Sequence, residues 1–291
     1  MQSDTSTTLP PGATILTLDG LRKIYRPRTA DSHKGTYGMA VLAGGQKGSA
    51  GALILAARAA GRAGAGRVLG ILPDWGYAAF QTAVPEAQCM TSGLTHIMSF
   101  GKIPENTAAG IGPGLGQEPD TADALRRLLS RRKAPLVLDA DALNILSDYP
   151  DWLRLVPENS ILTPHPGEFR RLFGETETRL QAIEKARLSA MKHNVIIVLK
   201  GHHTAICTPE GKTFINVTDS PALATAGSGD VLTGIITGLL AQGYFPENAA
   251  LLGVWLHGYA GVCCAEAIGV ESTIADDIAR FLGKGFKLLG G

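Results

Sequence analysis

Charge is scarce in this chain: Asp, Glu, Lys and Arg make up 18% of 291 residues and nearly cancel, leaving a formal net charge of +1. An electrostatic case for nucleic acid or an anionic membrane as partner therefore fails, although a local basic pocket can sit within a neutral total. Cysteine is limited to Cys89, Cys207, Cys263 and Cys264, without Cys-x-x-Cys spacing or histidine pairing. That excludes a disulfide framework and fits buried thiols in a reducing cytosol. No apolar run approaches the roughly 20 residues needed to span a bilayer. Residues 1–12 are rich in Ser and Thr and lack the basic-then-apolar order of a secretory leader. A soluble, cytoplasmic chain is the expectation. No Gly-x-Gly-x-x-Gly stands at the first strand–helix turn with an acidic residue about 20 positions on, which argues against a dinucleotide-dependent dehydrogenase.

What is abundant is glycine, 36 residues, and it is clustered. Clustered glycines between apolar runs mark loops whose backbone comes close to something else. Around them, strand-like and helix-like segments alternate. Met39–Ala43, Arg67–Leu72, Ala108–Ile111, Leu136–Asp139, Ile161–Leu162 and Val195–Leu199 read as buried strands. Helices are expected over 16–25, 49–62, 121–132 (with Asp120 as N-cap), 175–193, 229–242, 246–268 and 273–282, and a hairpin over 204–217. The alternation predicts an α/β fold with a mainly parallel central sheet and helices on both faces. A flexible segment over 1–15 followed by one domain over 16–291 is the expected organisation. The Ala- and Gly-rich helix after Ser49 is small enough on its surface to serve as an intersubunit face.

Parallel sheets carry their functional loops at the carboxyl ends of strands, where Gly44-Gly45, Gly112-Pro-Gly-Leu-Gly116 and Gly201 fall. Each alone could be a tight turn. The sharpest segment is Ala224-Thr-Ala-Gly-Ser-Gly-Asp-Val-Leu-Thr-Gly234. Gly227, Ser228 and Gly229 open an apolar helix, so their amides would converge on an anion. Asp230 could be a mere helix cap, but a cap does not require glycine on both sides of Ser228. A carboxylate beside a phosphate cradle can take the proton of an attacking hydroxyl as phosphorus moves. Lys200, directly after a buried strand, suits a phosphate better than a snorkelling core position. His165 stands between two prolines, with little helix or core explanation.

Gly-Ser-Gly-Asp at the head of an apolar helix resembles the ribokinase-like superfamily. More narrowly, the chain resembles the NAD(P)H-hydrate dehydratase family over roughly residues 35–280. The resemblance runs through Lys34-Gly-Thr-Tyr-Gly38, Val41-Leu-Ala-Gly-Gly45, Gly112 to Gly116, Leu138-Asp-Ala-Asp-Ala-Leu-Asn144, Leu162-Thr-Pro-His-Pro-Gly-Glu168, Val198-Leu-Lys-Gly201, Ala224 to Gly234 and His257-Gly-x-Ala260. Two positions depart from it: Asp219-Ser220 replace the usual Gly-Asn, and Ala226 a usual glycine. The resemblance implies ADP- or ATP-dependent dehydration of the S-form of hydrated NADH or NADPH, with magnesium. Lys200, Gly201, His202, His203, Thr204 and Gly229 would hold the nucleotide. Ala43, Gly114, His165 and Asp230 would contact the hydrated dinucleotide, and Asp230 would be the base. Asp141, Asn144 and Glu168 would organise a magnesium–water or phosphate network, the residues holding the metal being undetermined. A homotetramer working beside a separate epimerase is implied, with ADP favoured over ATP. The competing readings are a kinase of a small alcohol or vitamin precursor on the same fold, and a nucleotide-sensing module without catalysis.

Overall fold

A computed structural model describes residues 9–291; residues 1–8 of the segment expected to be flexible lie outside the described residues. In chain order the strands are β1 (Thr14–Ile15), β2 (Met39–Ala43), β3 (Arg67–Leu72), β4 (Gln88–Thr91), β5 (Ala108–Ile111), β6 (Leu136–Leu138), β7 (Ile161–Leu162), β8 (Ile196–Leu199), β9 (Ala205–Cys207) and β10 (Thr213–Ile215). The helices are α1 (Leu18–Ile24), α2 (Ala50–Arg62), α3 (Tyr77–Ala83), α4 (Pro119–Arg131), α5 (Asp141–Asp148), α6 (Pro166–Phe173), α7 (Arg179–His193), α8 (Ser228–Ala241), α9 (Pro246–Ile268) and α10 (Ala275–Gly290).

All strands join one sheet in the order β1-β10-β9-β8-β7-β6-β5-β2-β3-β4, parallel except where β9 opposes its two neighbours. Both faces of this sheet are covered, so its strands read as unbroken apolar runs rather than alternating ones. Leu136, Leu138, Ile197 and Leu199 enter the core beneath α4 to α7, while Val137, Ile196 and Val198 enter the core beneath α8 to α10. The expected mainly parallel sheet with two helical layers is the observed one.

Several local expectations differ. Thr14–Ile15, placed by sequence in the flexible segment, pair in parallel with Phe214–Ile215 and close one edge of the sheet. Helix α4 begins after Glu118 with Pro119 in its first turn, so Asp120 lies inside the helix rather than capping it. Helix α7 starts later than expected, because Thr178 and Gln181 form a capping box. Three elements had no strong periodicity to announce them: α3 and β4, and α5 directly after the β6 strand. The small-residue face of α2 is occupied within the chain. A Cβ at Gly234 of α8 would overlap the Ala56 carbonyl, and one at Gly238 would stand 2.7 Å from the Ala60 carbonyl. These glycines let α8 lie directly on α2, so that face is not free for a subunit contact.

Helix α9 overturns the reading that no segment is long and apolar enough to cross a bilayer. It has 23 residues, its most apolar window has a mean hydropathy of 1.4, and 61% of that window is buried inside the protein. Sequence inspection missed it because Glu247, Asn248, His257 and Glu266 interrupt the run. The burial marks it as a core helix, packed on α8 and α10.

Candidate active site

Strands β2, β5, β6, β7 and β8 lie side by side and end at one edge, so their following residues form a row. Gly112 N donates to Ala43 O (3.1 Å), Asp139 N to Ile111 O (3.1 Å), Thr163 N to Leu138 O (3.1 Å) and Lys200 N to Pro164 O (2.9 Å). The row thus reads Ala43, Gly112–Gly114, Asp139, Thr163–His165, Lys200. The N-terminus of α8 sits against its middle, where Thr233 Oγ1 donates to Asp139 Oδ2 at 2.8 Å. Asp230 is one turn earlier on the same helix, close to the carboxylates of Asp139, Asp141 and Glu168.

Lys200 is the positive centre of this acidic group. Its ammonium donates to Asp139 Oδ1 at 2.8 Å and stands 3.9 Å from Glu168 Oε2. Burial works against the Lys200 charge, but Asp139 and Glu168 outweigh it and hold the pKa above the usual lysine value. Burial, then the Asp139 charge, pushes Asp230 up to about 7, with Lys200 pulling the other way and Asp141 and Glu168 adding to the rise. Burial and Asp139 also raise Glu168. A carboxylate that ionises near neutrality can both accept and return a proton, and such shifts concentrate at working sites.

Asp230 is not a cap: the first turn of α8 has no side-chain capping bond. Gly227 takes φ +87°, which turns the chain into the helix. The first-turn amides of Gly229 and Asp230 find no acceptor among the described residues. Orphan donors at the positive end of a helix are an anion site. A Cβ on Gly229 would stand 3.2 Å from Lys200 Nζ, so glycine keeps the space beside the ammonium clear.

Beyond Lys200 and Gly229 opens a cavity of about 600 Å³. Of the expected site residues it gathers His165, Lys200, Gly201, His202, Thr204, Ser228 and Gly229 on its wall. His203 faces the neighbouring groove under Pro10, Arg179 and Ile215 instead. Ala43, Gly114, Gly227 and Asp230 are not on the cavity wall. Ala43 and Gly114 follow β2 and β5 at the other end of the row from Lys200, and Ala43, expected to contact the dinucleotide, is fully buried (0% exposed).

His165 has a structural explanation that its flanking prolines concealed. It is the N-cap of α6: Nδ1 accepts from Gly167 N (3.0 Å) and Glu168 N (3.3 Å), while Glu168 Oε2 accepts from His165 N (2.8 Å). Burial, Lys200 and Arg171 hold its pKa below the usual value, so the ring is neutral at pH 7. Asp141 and Asn144, expected to organise a magnesium–water or phosphate network, are bonded to protein groups. Asp141 accepts from Gly116 N (2.8 Å) and Asn144 Nδ2 (3.1 Å), and Asn144 Oδ1 accepts from Arg171 (2.7 Å).

Sequence reading gave no role to Asp139, Thr233 or His257. Asp139 follows a buried strand just as Lys200 does, and Thr233 is three residues after Asp230 on α8; both spacings were available. His257 Nε2 lies 3.0 Å from both Ser228 Oγ and Ser228 O, so the ring carries its hydrogen on Nε2 and props the glycine turn. Burial lowers its pKa to about 4, which keeps it neutral. The glycine after it is explained by packing: a Cβ at Gly258 would overlap the Thr218 carbonyl.

Known proteins resemble the chain over most of its length. The sequence model described as NAD(P)H-hydrate dehydratase matches residues 40–284. The chain is 40% identical over 283 residues to the bifunctional NAD(P)H-hydrate repair enzyme of Moorella thermoacetica, covering 92% of this chain and 53% of that protein. It thus spans about half the length of that relative. It is 39% identical to the ADP-dependent (S)-NAD(P)H-hydrate dehydratase of Neisseria meningitidis serogroup B, over 88% of this chain and 87% of that protein. Among solved structures, the ADP/ATP-dependent NAD(P)H-hydrate dehydratase of Bacillus subtilis, co-crystallised with ATP and magnesium, superposes with a TM-score of 0.83. It is 30% identical, over 96% of this chain and 99% of that one.

Proposed function

The chain belongs to the NAD(P)H-hydrate dehydratase family, and from that we propose that it uses ADP or ATP to dehydrate the S-form of hydrated NADH and NADPH. The observation that carries this reading is Asp230, a carboxyl group pushed to about 7, set between the glycine-lined flank at Ala43 and Gly114 and the cavity at Lys200 to Thr204. A dinucleotide on the first side and a nucleotide on the second would meet at its oxygens.

Hydroxide is a poor leaving group from the reduced ring, and phosphate is a good one. Asp230 takes the proton of the ring hydroxyl as its oxygen bonds to the terminal phosphorus of ADP or ATP, whose bridging oxygen departs with AMP or ADP. The orphan amides of Gly229 and Asp230 and the helix dipole offset the charge on the transferring group. The ring nitrogen lone pair then expels inorganic phosphate to leave a ring iminium ion, and loss of a proton from the adjacent ring carbon, to the departing phosphate or to water, restores NAD(P)H. Lys200, tied to Asp139, holds the phosphate side of the nucleotide and lowers the cost of ionising Asp230. Three carboxyl groups, those of Asp139, Glu168 and Asp230, act on the one ammonium of Lys200, and Asp141 acts on Asp230, an acidic excess that suits a divalent cation. Magnesium bound through Glu168 or Asp230 and the nucleotide would neutralise phosphate charge. ADP is the preferred nucleotide in this reading. A homotetramer in the cytoplasm belongs to the same reading; exposed apolar residues such as Leu94 (71% exposed) and Met98 (48%) offer surface for a subunit contact, and the free thiols suit a reducing compartment.

The test is Asp230→Asn assayed with hydrated NADH, magnesium and ADP or ATP, following return of NADH absorbance and release of phosphate. Turnover is expected to fall by about 10³-fold or more, with nucleotide affinity little changed. For the wild type, kcat/KM should rise with pH below about 7 and level off above it, because the base must be ionised. Full activity in the Asn variant defeats the base assignment. A phosphorylated product that accumulates in place of free phosphate selects a kinase.

A further inference from the structure

Outside the acidic row, one cluster of ligating side chains has no part in the chemistry above. We propose that His202, His203 and Asp219 form a site for a divalent first-row transition-metal ion of the zinc class, in the wall between the cavity, which His202 and Asp219 line, and the neighbouring groove, which His202 and His203 line. Among the described residues it is the only group of three or more His, Cys, Asp or Glu whose donor atoms lie close enough to share an ion, all within 4.8 Å of one another.

The geometry is unusual for sequence neighbours. Adjacent side chains normally diverge, but His203 takes φ +55°, a left-handed backbone uncommon outside glycine. The two imidazoles stack, with centroids 3.8 Å and planes 29° apart, so one ring turns about its side-chain bonds for both to reach one ion. His202 Nδ1 stands 3.3 Å from Asp219 Oδ2. Bonds to zinc of about 2.0–2.1 Å at tetrahedral angles place neighbouring donors about 3.3 Å apart, so this pair already spans one edge of such a polyhedron. The same Asp219 oxygen accepts from His203 N at 2.8 Å, which fixes the carboxylate. That is the outer contact a ligating carboxylate needs.

His203 Nδ1 is buried and has no hydrogen-bond partner among the described residues. Two imidazole nitrogens and one carboxylate select zinc-class ions over magnesium, which prefers oxygen in an octahedron. Three protein ligands leave a position open, and His202 and Asp219 both line the cavity.

The test needs neither nucleotide nor turnover, so it is independent of the dehydratase reading. Chelator-stripped protein is titrated with zinc against a chromophoric competitor, and with cobalt(II) while the visible spectrum is recorded. One ion per chain and an intense cobalt band of low coordination number are expected. His202→Gln and His203→Gln should each weaken zinc binding by at least about tenfold, the low end of what even an outer-shell change costs. Far-ultraviolet circular dichroism establishes that the variants are folded. Absence of zinc binding, equal titration of wild type and the double variant, or displacement of zinc by equimolar magnesium overturns the proposal.

Discussion

The two flanks of Asp230 use glycine for opposite purposes. On the Ala43 side, glycines are where backbones touch: a Cβ at Gly44 would overlap the Pro113 carbonyl, and one at Gly112 the Asp139 carbonyl. On the Lys200 side, an added Cβ at Gly229 would meet only side-chain ends, Lys200 Nζ at 3.2 Å and Asp139 Oδ2 at 3.7 Å. The first flank is held together by its glycines and the second is held open by one. The charges divide the same way, since Lys200, Glu168 and the histidines lie toward the cavity and none of them toward Ala43. A glycine-rich motif therefore does not have one meaning, even within one site.

The comparison breaks if substitutions on the two flanks act alike. Gly112→Ala should be the most damaging to the fold, by more than about 3 kcal/mol, because φ there is +135° and the carbonyl cannot retreat without moving β6. Chemical denaturation would measure it, and a loss below about 1 kcal/mol would show that flank to be pliable. Lys200→Met comes next, at about 3 kcal/mol, because it leaves Asp139, 1% exposed, without its partner. The ammonium also lowers the Asp230 pKa, so the acid limb of the rate profile should move to higher pH in this variant. An unmoved limb would separate Lys200 from the base. Gly229→Ala should change stability by less than about 1 kcal/mol, since the position is helical, yet weaken nucleotide binding about tenfold. Calorimetry with ADP would decide it, and unchanged affinity would mean that the cleared space is not used.

Legibility differed between elements for physical reasons. Buried parallel strands are long apolar runs, so β2, β3, β5 and β8 could be placed within a residue. The chain also exposes Asp230 as a residue with no structural need for two glycines around it. Short elements were lost where local signals conflict. His165 between prolines suggested a loop, yet Pro166 at the first helical position and Glu168 three residues after His165 are the start of a helix. Thr14–Ile15 had no periodicity to show, and only the β10 edge makes them a strand. The acidic row was half visible: Lys200 was chosen for phosphate, and its bond to Asp139, 61 residues away, could not be read from either neighbourhood.

By itself the sequence determined the layered fold, the family and the identity of the acidic residue at the head of α8, because apolar periodicity and glycine placement are local and survive without coordinates. Tertiary structure alone decided that Asp139, Glu168 and Asp230 share one lysine, that burial and neighbouring carboxylates drive Asp230 toward neutrality, and that His202, His203 and Asp219 converge. Electrostatic coupling falls off with distance in space, and folding sets those distances between residues that lie far apart along the chain.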